Sequence, residues 1–567
     1  MKQTMLFLMG LWLAAAAFAQ GRIVERTYIA TDRDVYVAGD VVWYSAFCLD
    51  AARGTLSPIS GVGYVELHEG ASMVASGKFA LQNGRGAGRL SLPASLPTGN
   101  YRLVAYTTQN KAEEDYDYTG LASKTLSVFN VLSNERVKDG VEVVEPEEYG
   151  RLVAERSPVK PAMTTGDGMT VGMSWDDGVM TLVNHGDKPV TLSLSAFHDD
   201  GILPNGNPTI ADFTKACRQV GPRSFDNTVI PEYEGEIIRG HVTGFNQEMI
   251  PRLTGKSAFI STPSEEFDVY ASFIDEKGRV EFFTGNIYGN KEYVCEIAGI
   301  DPSLNCFIEL ESPFVGAPVE PAAKLPLSTA LKDRLLARSV AMQVERQFTA
   351  DTLLDPLPVL MGADFGDDAI VYPLDDYTRF TTMEEVLVEF VQEMRARRDR
   401  DGKRIIQIRL KDGTEVQFSN TPTLMMIDGV PVFDQQKILD YDPLLVEQIR
   451  IYPHTCYIGS FSFEGVANFV TYKHNLPAFK FGGNVRVIDY EGVAWPMAFT
   501  GAALAGAEGY PDYRQTIFWH PLLELAPGQT LSLPCRLPDY KGRFNAVAEG
   551  LSETGEPLVS RISFEVK

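Results

Sequence analysis

Hydrophobic and polar positions alternate along most of this chain. In "DRDVYVAGDVVWYSAFCL", Val35 and Tyr36 precede a Gly39-Asp40 turn, and the next run sets Val41, Trp43, Ser45 and Phe47 on one face. Asn83-Gly84 marks a tight turn, and Pro97 to Gly99 turn the chain into a strand over 101–107. Strands at short spacing without helical periodicity predict a β-sandwich over 22–132. A second β region is predicted over 170–300. There Phe267, Val269, Ala271 and Phe273 alternate with more polar neighbours, and a turn at Asp275–Gly278 returns the chain through Val280 and Phe282. Residues 511–567 predict one more sandwich, its last strand alternating Ile562, Phe564 and Val566 against Ser563 and Glu565.

Helical spacing breaks this pattern twice. Leu331, Leu335, Val340 and Val344 predict a helix over 328–349, inside a connecting region at 301–355. Met383, Val386, Leu387, Phe390, Val391 and Met394 predict a second over 382–398, with a capping-box pattern at Thr381 and Glu384. Arg395, Arg397 and Arg398 then read as a solvated helix end rather than a phosphate site. The charged, Pro-containing stretch 133–169 reads as a linker. Within 356–500, short strands follow the second helix. Met425 to Ile427 end at an Asp428-Gly429 turn, Pro431 cannot continue a central ladder, and Gly459 and Gly465 bracket a later turn. The predicted fold class is mainly β and multidomain: several sandwiches plus a small α+β domain.

Two stretches resemble known families. The pairing of "DRDVYVAGDVVWY" with "LPTGNYRLVAY" resembles the macroglobulin domain of the α2-macroglobulin family, its second-type module in particular. The residues that carry the likeness are Asp34, Tyr36, Gly39, Asp40, Gly99 and Tyr101. "PDYRQTIFWHPLL" with "GRFNAVAEGLSETGEP" near the C-terminus looks similar. Complete macroglobulins trap proteases through a thioester built from Cys-Gly-Glu-Gln, and no cysteine here sits in that motif. The resemblance therefore implies the module without covalent trapping.

The order Asp428-Gly429-Val430-Pro431, Asp442-Pro443, Glu447-Gln448-Ile449, Tyr457 to Gly459, Gly465-Val466 and Thr471 to Lys473 resembles the plug domain of TonB-dependent transporters of the SusC type, apart from an inserted Ile458. A plug implies a barrel. Yet only 94 residues follow Lys473 (567 minus 473), under half of what 22 strands of ~9–11 residues need. The resemblance thus implies a plug fold reused for packing or docking. The aromatics Phe365, Tyr372, Tyr377, Phe380, Phe479, Phe481, Tyr490 and Trp495 on its flanks are expected to cover it. "EGEIIRGHVTG" is similar to small regulatory β-sandwich modules of envelope proteins.

Composition narrows location and partners. Lys2, an apolar run from Met5 to Ala17 and Ala17-Phe18-Ala19 before Gln20 read as a secretory signal peptide over 1–19, with no lipobox cysteine after it. No later run reaches the ~18 apolar residues of a membrane helix, so no direct membrane span is expected. A net charge of −24 disfavours nucleic acid and anionic membrane surfaces. The expected setting is the periplasm or the outer membrane; the terminal strand and lysine are also similar to C-terminal secretion signals, which keeps the cell surface open. Cys48, Cys217, Cys295, Cys306, Cys456 and Cys535 form no C-x-x-C pair. Buried thiols are the favoured reading, with a Cys295–Cys306 bridge as the alternative.

No H-E-x-x-H, G-x-S-x-G or P-loop occurs, so no catalytic, metal or cofactor site is expected. The acidic doublets Asp199-Asp200, Asp367-Asp368 and Asp375-Asp376 would suit an enzyme only if two of them shared a cleft. The leading expectation is a non-enzymatic protein that binds other envelope proteins. The alternative is a macroglobulin relative that binds proteases sterically without the thioester.

Overall fold

A computed structural model describes residues 22–121, 123–156, 171–244, 250–264, 267–285, 287–300, 305–316, 319–348, 354–356, 363, 365–399, 402–411, 417–420, 423–495, 497–499 and 511–567. The expected signal peptide, residues 157–169 of the linker and the small-residue stretch before 511 lie outside these residues. The chain forms two compact units. One combines residues up to 235 with 314–357 and 493–567; the other combines 236–313 with 358–492.

The first unit opens with a β-sandwich. One sheet holds Glu25–Thr31, Val41–Asp50, Thr55–Leu56 and Arg85–Ser91; the other holds Val35–Val37, Ser123–Phe129, Gly99–Thr107, Val62–Glu69 and Ser72–Ala80. Val42, Tyr44, Ala46 and Cys48 point between the sheets, against Val65, Leu67, Leu103 and Leu126. The opposite face of that strand is covered too: Phe47 packs with Tyr28, Phe213 and Leu551. With both faces buried, the strand shows only a weak alternation.

The expected boundaries of the next two β regions need correction. Residues 511–567 are not a self-contained sandwich. Thr516–Leu525 and Gly542–Ser552 flank Val190–His198 in one sheet that ends in Pro557–Val566, while Thr530–Pro534 pairs with Val179–Asn184 and, through it, Val171–Asp176. Four C-terminal strands cannot close two faces, and the central strand of the larger sheet is supplied from more than 300 residues upstream. The expected 170–300 sandwich is accordingly divided: 171–198 belong to this composite domain and the strands from Glu236 onward to the other unit. The 133–169 linker also carries structure. Val141–Val143 pairs in parallel with Leu325–Leu327, and Pro146–Arg156 is a helix whose Tyr149 is buried. The connecting helix spans Lys332–Phe348, with Leu335 and Met342 buried but Val340 47% exposed.

The second unit holds another sandwich, built on Glu236–Thr243, Arg279–Gly285 and Phe307–Leu310 in one sheet and Ser257–Thr262, Asp268–Phe273, Asn290–Ile297 and Arg486–Glu491 in the other. Cys295 and Cys306 lie in its core, and all six cysteines are buried free thiols. Beside it stands an α+β module. Its five-stranded sheet runs Ile370–Pro373, Val446–Ile458, Phe461–Thr471, Leu424–Ile427 and Val430–Pro431, and a smaller sheet holds Met394–Arg398, Arg404–Leu410 and Gln417–Phe418. The expected 382–398 helix is shorter than its apolar spacing suggests. Helix occupies Met383–Glu389, capped by Thr382 accepting from the Glu385 amide, and Met394–Arg398 is a strand. Over 394–397 a period of two fits as well as one of 3.6: Met394 is buried, Arg395 and Arg397 exposed, and Ala396 half-buried.

Candidate functional site

The two motif-bearing regions are the places where the sequence pointed to function, and each proves to be built around a buried aspartate. In the N-terminal sandwich, the residues expected from the motif gather around Arg33. Its guanidinium lies 3.0 Å from both Asp32 and Asp40 and 4.7 Å from the Tyr36 ring centroid. The Asp32 carboxylate also accepts from the Tyr36 hydroxyl (2.8 Å), the Trp43 amide (3.0 Å) and the Thr516 hydroxyl (2.6 Å). Burial works against the charge on Arg33, but Asp40 and Asp32 more than offset it and hold the guanidinium above its ordinary pKa. Asp40 caps the turn at Gly39 (φ +96°) by accepting from the Val37 amide, and half-buried Asp34 accepts from Thr31. Gly99 opens its strand, and Tyr101 donates back to the Pro97 carbonyl at 2.6 Å. Asp32, Arg33 and Thr516 are absent from the expected motif residues. An arginine between two aspartates was a visible signal; Thr516, 484 positions away, had none.

The second buried aspartate locks the α+β module. Asp428 has φ +48° and no exposure. Its carboxylate accepts from the Thr471 amide (2.7 Å), the Thr471 hydroxyl (2.7 Å) and the Leu476 amide (2.9 Å), while the Gly429 amide donates to Asn468 at 3.0 Å. In this chain the Asp-Gly turn closes on the Thr-x-Lys segment. Gly429 (φ +77°) completes the turn, and Val430–Pro431 pairs back on Met426–Ile427, where Pro431 sits on an edge that needs no N–H. Gly459 (φ +57°) occupies the tip of the long hairpin, and Gly465 (φ +90°) lets Ile408 approach to 3.1 Å of where a Cβ would stand.

Both faces of the module's main sheet are covered within its own unit. Met425, Ile427, Ile449, Ile451, Ala467 and Phe469 pack against Met383, Val386 and Leu387 of the helix. Leu424, Met426, Tyr452, Ile458 and Val466 on the other face pack against Phe259, Phe267 and Val269 of the neighbouring sandwich, joined by Phe365. Tyr372, Phe380 and Phe479 from the flanks lie half-buried against the first face, and Tyr377 stacks on Phe390 at 4.2 Å. Tyr490 instead enters the sandwich core.

Carboxylates of the acidic doublets are held by different partners. Asp200 is paired with Arg338 and Asp199 with Arg543; Asp375 accepts from Tyr472 and Arg379. One juxtaposition was not expected. Cys456 Sγ lies 3.6 Å from His454 Nδ1, and His454 Nε2 lies 3.1 Å from Asp368 Oδ1. That is the order of a nucleophile, a base and an orienting carboxylate. Cys456 is 3% exposed and packs among Phe259, Phe267 and Tyr452, so its thiol has no approach for a substrate. Among the described residues no three His, Cys, Asp or Glu side chains gather to hold a metal.

No protein-family model matches this chain, and no curated protein matches it. Solved structures do. The native conformation of the Escherichia coli alpha-2-macroglobulin aligns over 97% of this chain and 22% of its own at 11% identity, with a TM-score of 0.16. The elastase-activated form of the E. coli protein aligns over 96% and 43% at 9% identity and a TM-score of 0.23. Dimeric latent PorU from Porphyromonas gingivalis aligns over 95% and 33% at 8% identity and 0.15. The chain spans less than half the length of each. Likenesses this loose fix neither the activity nor the partners of this chain.

Proposed function

We propose that this chain is a non-catalytic, exported envelope protein that works by binding other envelope proteins, with the plug-like module reused as a docking domain. The observation that carries this reading is the coverage of the module's main sheet. One face is occupied by the helix at Met383–Glu389 and the other by the sandwich strands carrying Phe259, Phe267 and Val269. A gating plug keeps a broad polar surface for a barrel wall, whereas here the two faces of the central sheet are apolar and spent on packing. Export rests on the N-terminal charge, apolar run and A-x-A step. The acidic balance favours protein over polyanionic partners.

The experiment is reconstitution. Tagged mature protein is passed over detergent-solubilised envelopes, each co-purifying protein is identified, and the pair is rebuilt from purified components. A stoichiometric complex with an outer-membrane or periplasmic protein is expected. Stoichiometric slowing of several unrelated endopeptidases by the purified chain would instead establish the steric protease-binding reading. Catalytic turnover by the purified chain that is lost on removing an acidic doublet would overturn the non-catalytic one.

A further inference from the structure

The hairpin that replaces the end of the expected helix carries a charge opposite to that of the chain. The described residues from 393 to 411 hold seven Lys and Arg (Arg395, Arg397, Arg398, Lys403, Arg404, Arg409, Lys411) against Glu393 and Asp399, a net of +5 in a chain of −24. The register Arg395↔Gln407 and Arg397↔Ile405 puts Arg395, Arg397 and Arg409 on one face, turned away from the core that buries Met394, Ile406 and Ile408. All three are exposed. Arg395 is held in place by Gln407 at 3.0 Å and by the Phe418 ring 3.7 Å away, and neither Arg397 nor Arg409 has an ion-pair partner among the described residues.

The backbone of the same hairpin is open on one side. Among the described residues Met394–Arg398 pairs only with Arg404–Leu410, which makes it an edge strand. The bonds from the Arg409 amide to the Glu393 carbonyl (2.7 Å) and from the Asp399 amide to the Lys403 carbonyl (2.9 Å) show that odd-numbered residues point their backbone at the partner strand. Ala396 and Arg398 therefore aim N–H and C=O outward, with no partner among the described residues. Arginines alone would serve to keep an edge from aggregating. Arginines on one face of a sheet whose outer strand has an open peptide edge match a different use.

We propose that this edge docks an acidic, extended segment of a partner protein, which adds a strand beside Ala396 and Arg398 and sets alternate carboxylates against Arg395, Arg397 and Arg409. The proposal rests on the protein-binding reading above and names its partner's chemistry. Charge complementarity favours an anionic segment, and the unpaired backbone favours a polypeptide over a lipid headgroup or a polyphosphate, neither of which offers a strand of amides.

The test uses the full mature chain and a labelled octapeptide alternating glutamate with threonine, read by fluorescence anisotropy at two salt concentrations. Binding is expected, weakening as salt rises, with hydrogen-exchange protection appearing at the Ala396 and Arg398 amides. The triple variant R395E/R397E/R409E, shown to melt like the parent, should weaken binding at least ten-fold. A peptide of equal charge with alternate backbone nitrogens methylated should lose as much. Equal binding of the methylated peptide, of inorganic polyphosphate or of anionic phosphatidylglycerol vesicles would overturn strand addition, and so would absence of binding. If the triple variant still assembles with an envelope partner found by reconstitution, this docking edge fails while the protein-binding reading stands. If the parent chain assembles with no envelope protein, that reading fails by itself.

Discussion

The aspartate of the N-terminal sandwich and the aspartate of the α+β module solve the same problem in two ways. Asp32 and Asp40 are buried against the Arg33 guanidinium, and Thr516 from a distant part of the chain completes the set. Among the described residues Asp428 is buried with two amides and a hydroxyl and no cation, its partners coming from 43 and 48 residues away. The first arrangement ties two sandwiches together; the second closes one loop of one domain. A charge pair tolerates the loss of a neutral donor but not of its counter-charge, while a hydrogen-bonded carboxylate fails when the acceptor itself goes. The difference is testable because the two aspartates lie in separate units.

The largest effect is expected from Arg33→Met, which strands two buried carboxylates and should cost about 3–5 kcal/mol. In urea titrations followed by hydrogen exchange, loss of protection should concentrate in 23–130 and leave the module's amides unchanged. Uniform loss would show that the units unfold together. Asp428→Ala orphans three buried donors and should cost about 3 kcal/mol, with protection lost over 424–476 instead, while Asp428→Asn should cost about half as much because the amide oxygen can still accept. If Asn is as damaging as Ala, charge rather than hydrogen bonding sustains the lock.

Gly465→Ala is expected to cost about 2 kcal/mol, since φ +90° is unfavourable for a side chain and the new methyl meets Ile408 at 3.1 Å. Gly459→Ala, at a tip with nothing within 4 Å, should cost no more than about 1 kcal/mol by thermal melting. Equal losses at both sites would mean that backbone strain alone decides.

A finer effect separates the two regions by pH. Burial pushes the Glu345 carboxyl, beside the N-terminal ionic cluster, up to about 7; Arg33 opposes the shift and Asp40 adds to it. An acid held above its unfolded value binds its proton more tightly when folded, so stability falls as pH rises from about 4.5 to 7 and levels off above. Glu345→Gln should remove that slope and be relatively more stable at pH 8 than at pH 5, by about 1 kcal/mol in chemical denaturation. An unchanged slope would place the titration elsewhere.

How much was legible follows the same division. The Asp428-Gly429 turn was legible as a turn and Thr471 stood in the same motif order, but nothing in the sequence joined the two; their hydrogen bonds appear only in the fold. The Arg33 cluster was half visible: Tyr36 and Asp40 stood out by pattern, but nothing near Thr516 announced a contact with Asp32. The sandwich boundaries were misplaced because a strand's alternation reveals a buried face without saying which strand covers it. The 382–398 helix was overextended because over 394–397 a period of two fits as well as one of 3.6, and the apolar spacing upstream is helical.

By itself the sequence determined the local matters: a mainly β chain, the turns at Gly39 and Gly429, a helix within 328–349, a strongly acidic net charge. Those follow from backbone preference and short-range periodicity, which act within a few residues. Only the tertiary structure decided that Val190–His198 sits between strands some 300 residues later, that both faces of the module's sheet are covered, and that three arginines share the outer face of an open hairpin. Each of these depends on which buried surfaces meet, and apolar burial is non-directional, so the partner is chosen by the shape of the folded whole.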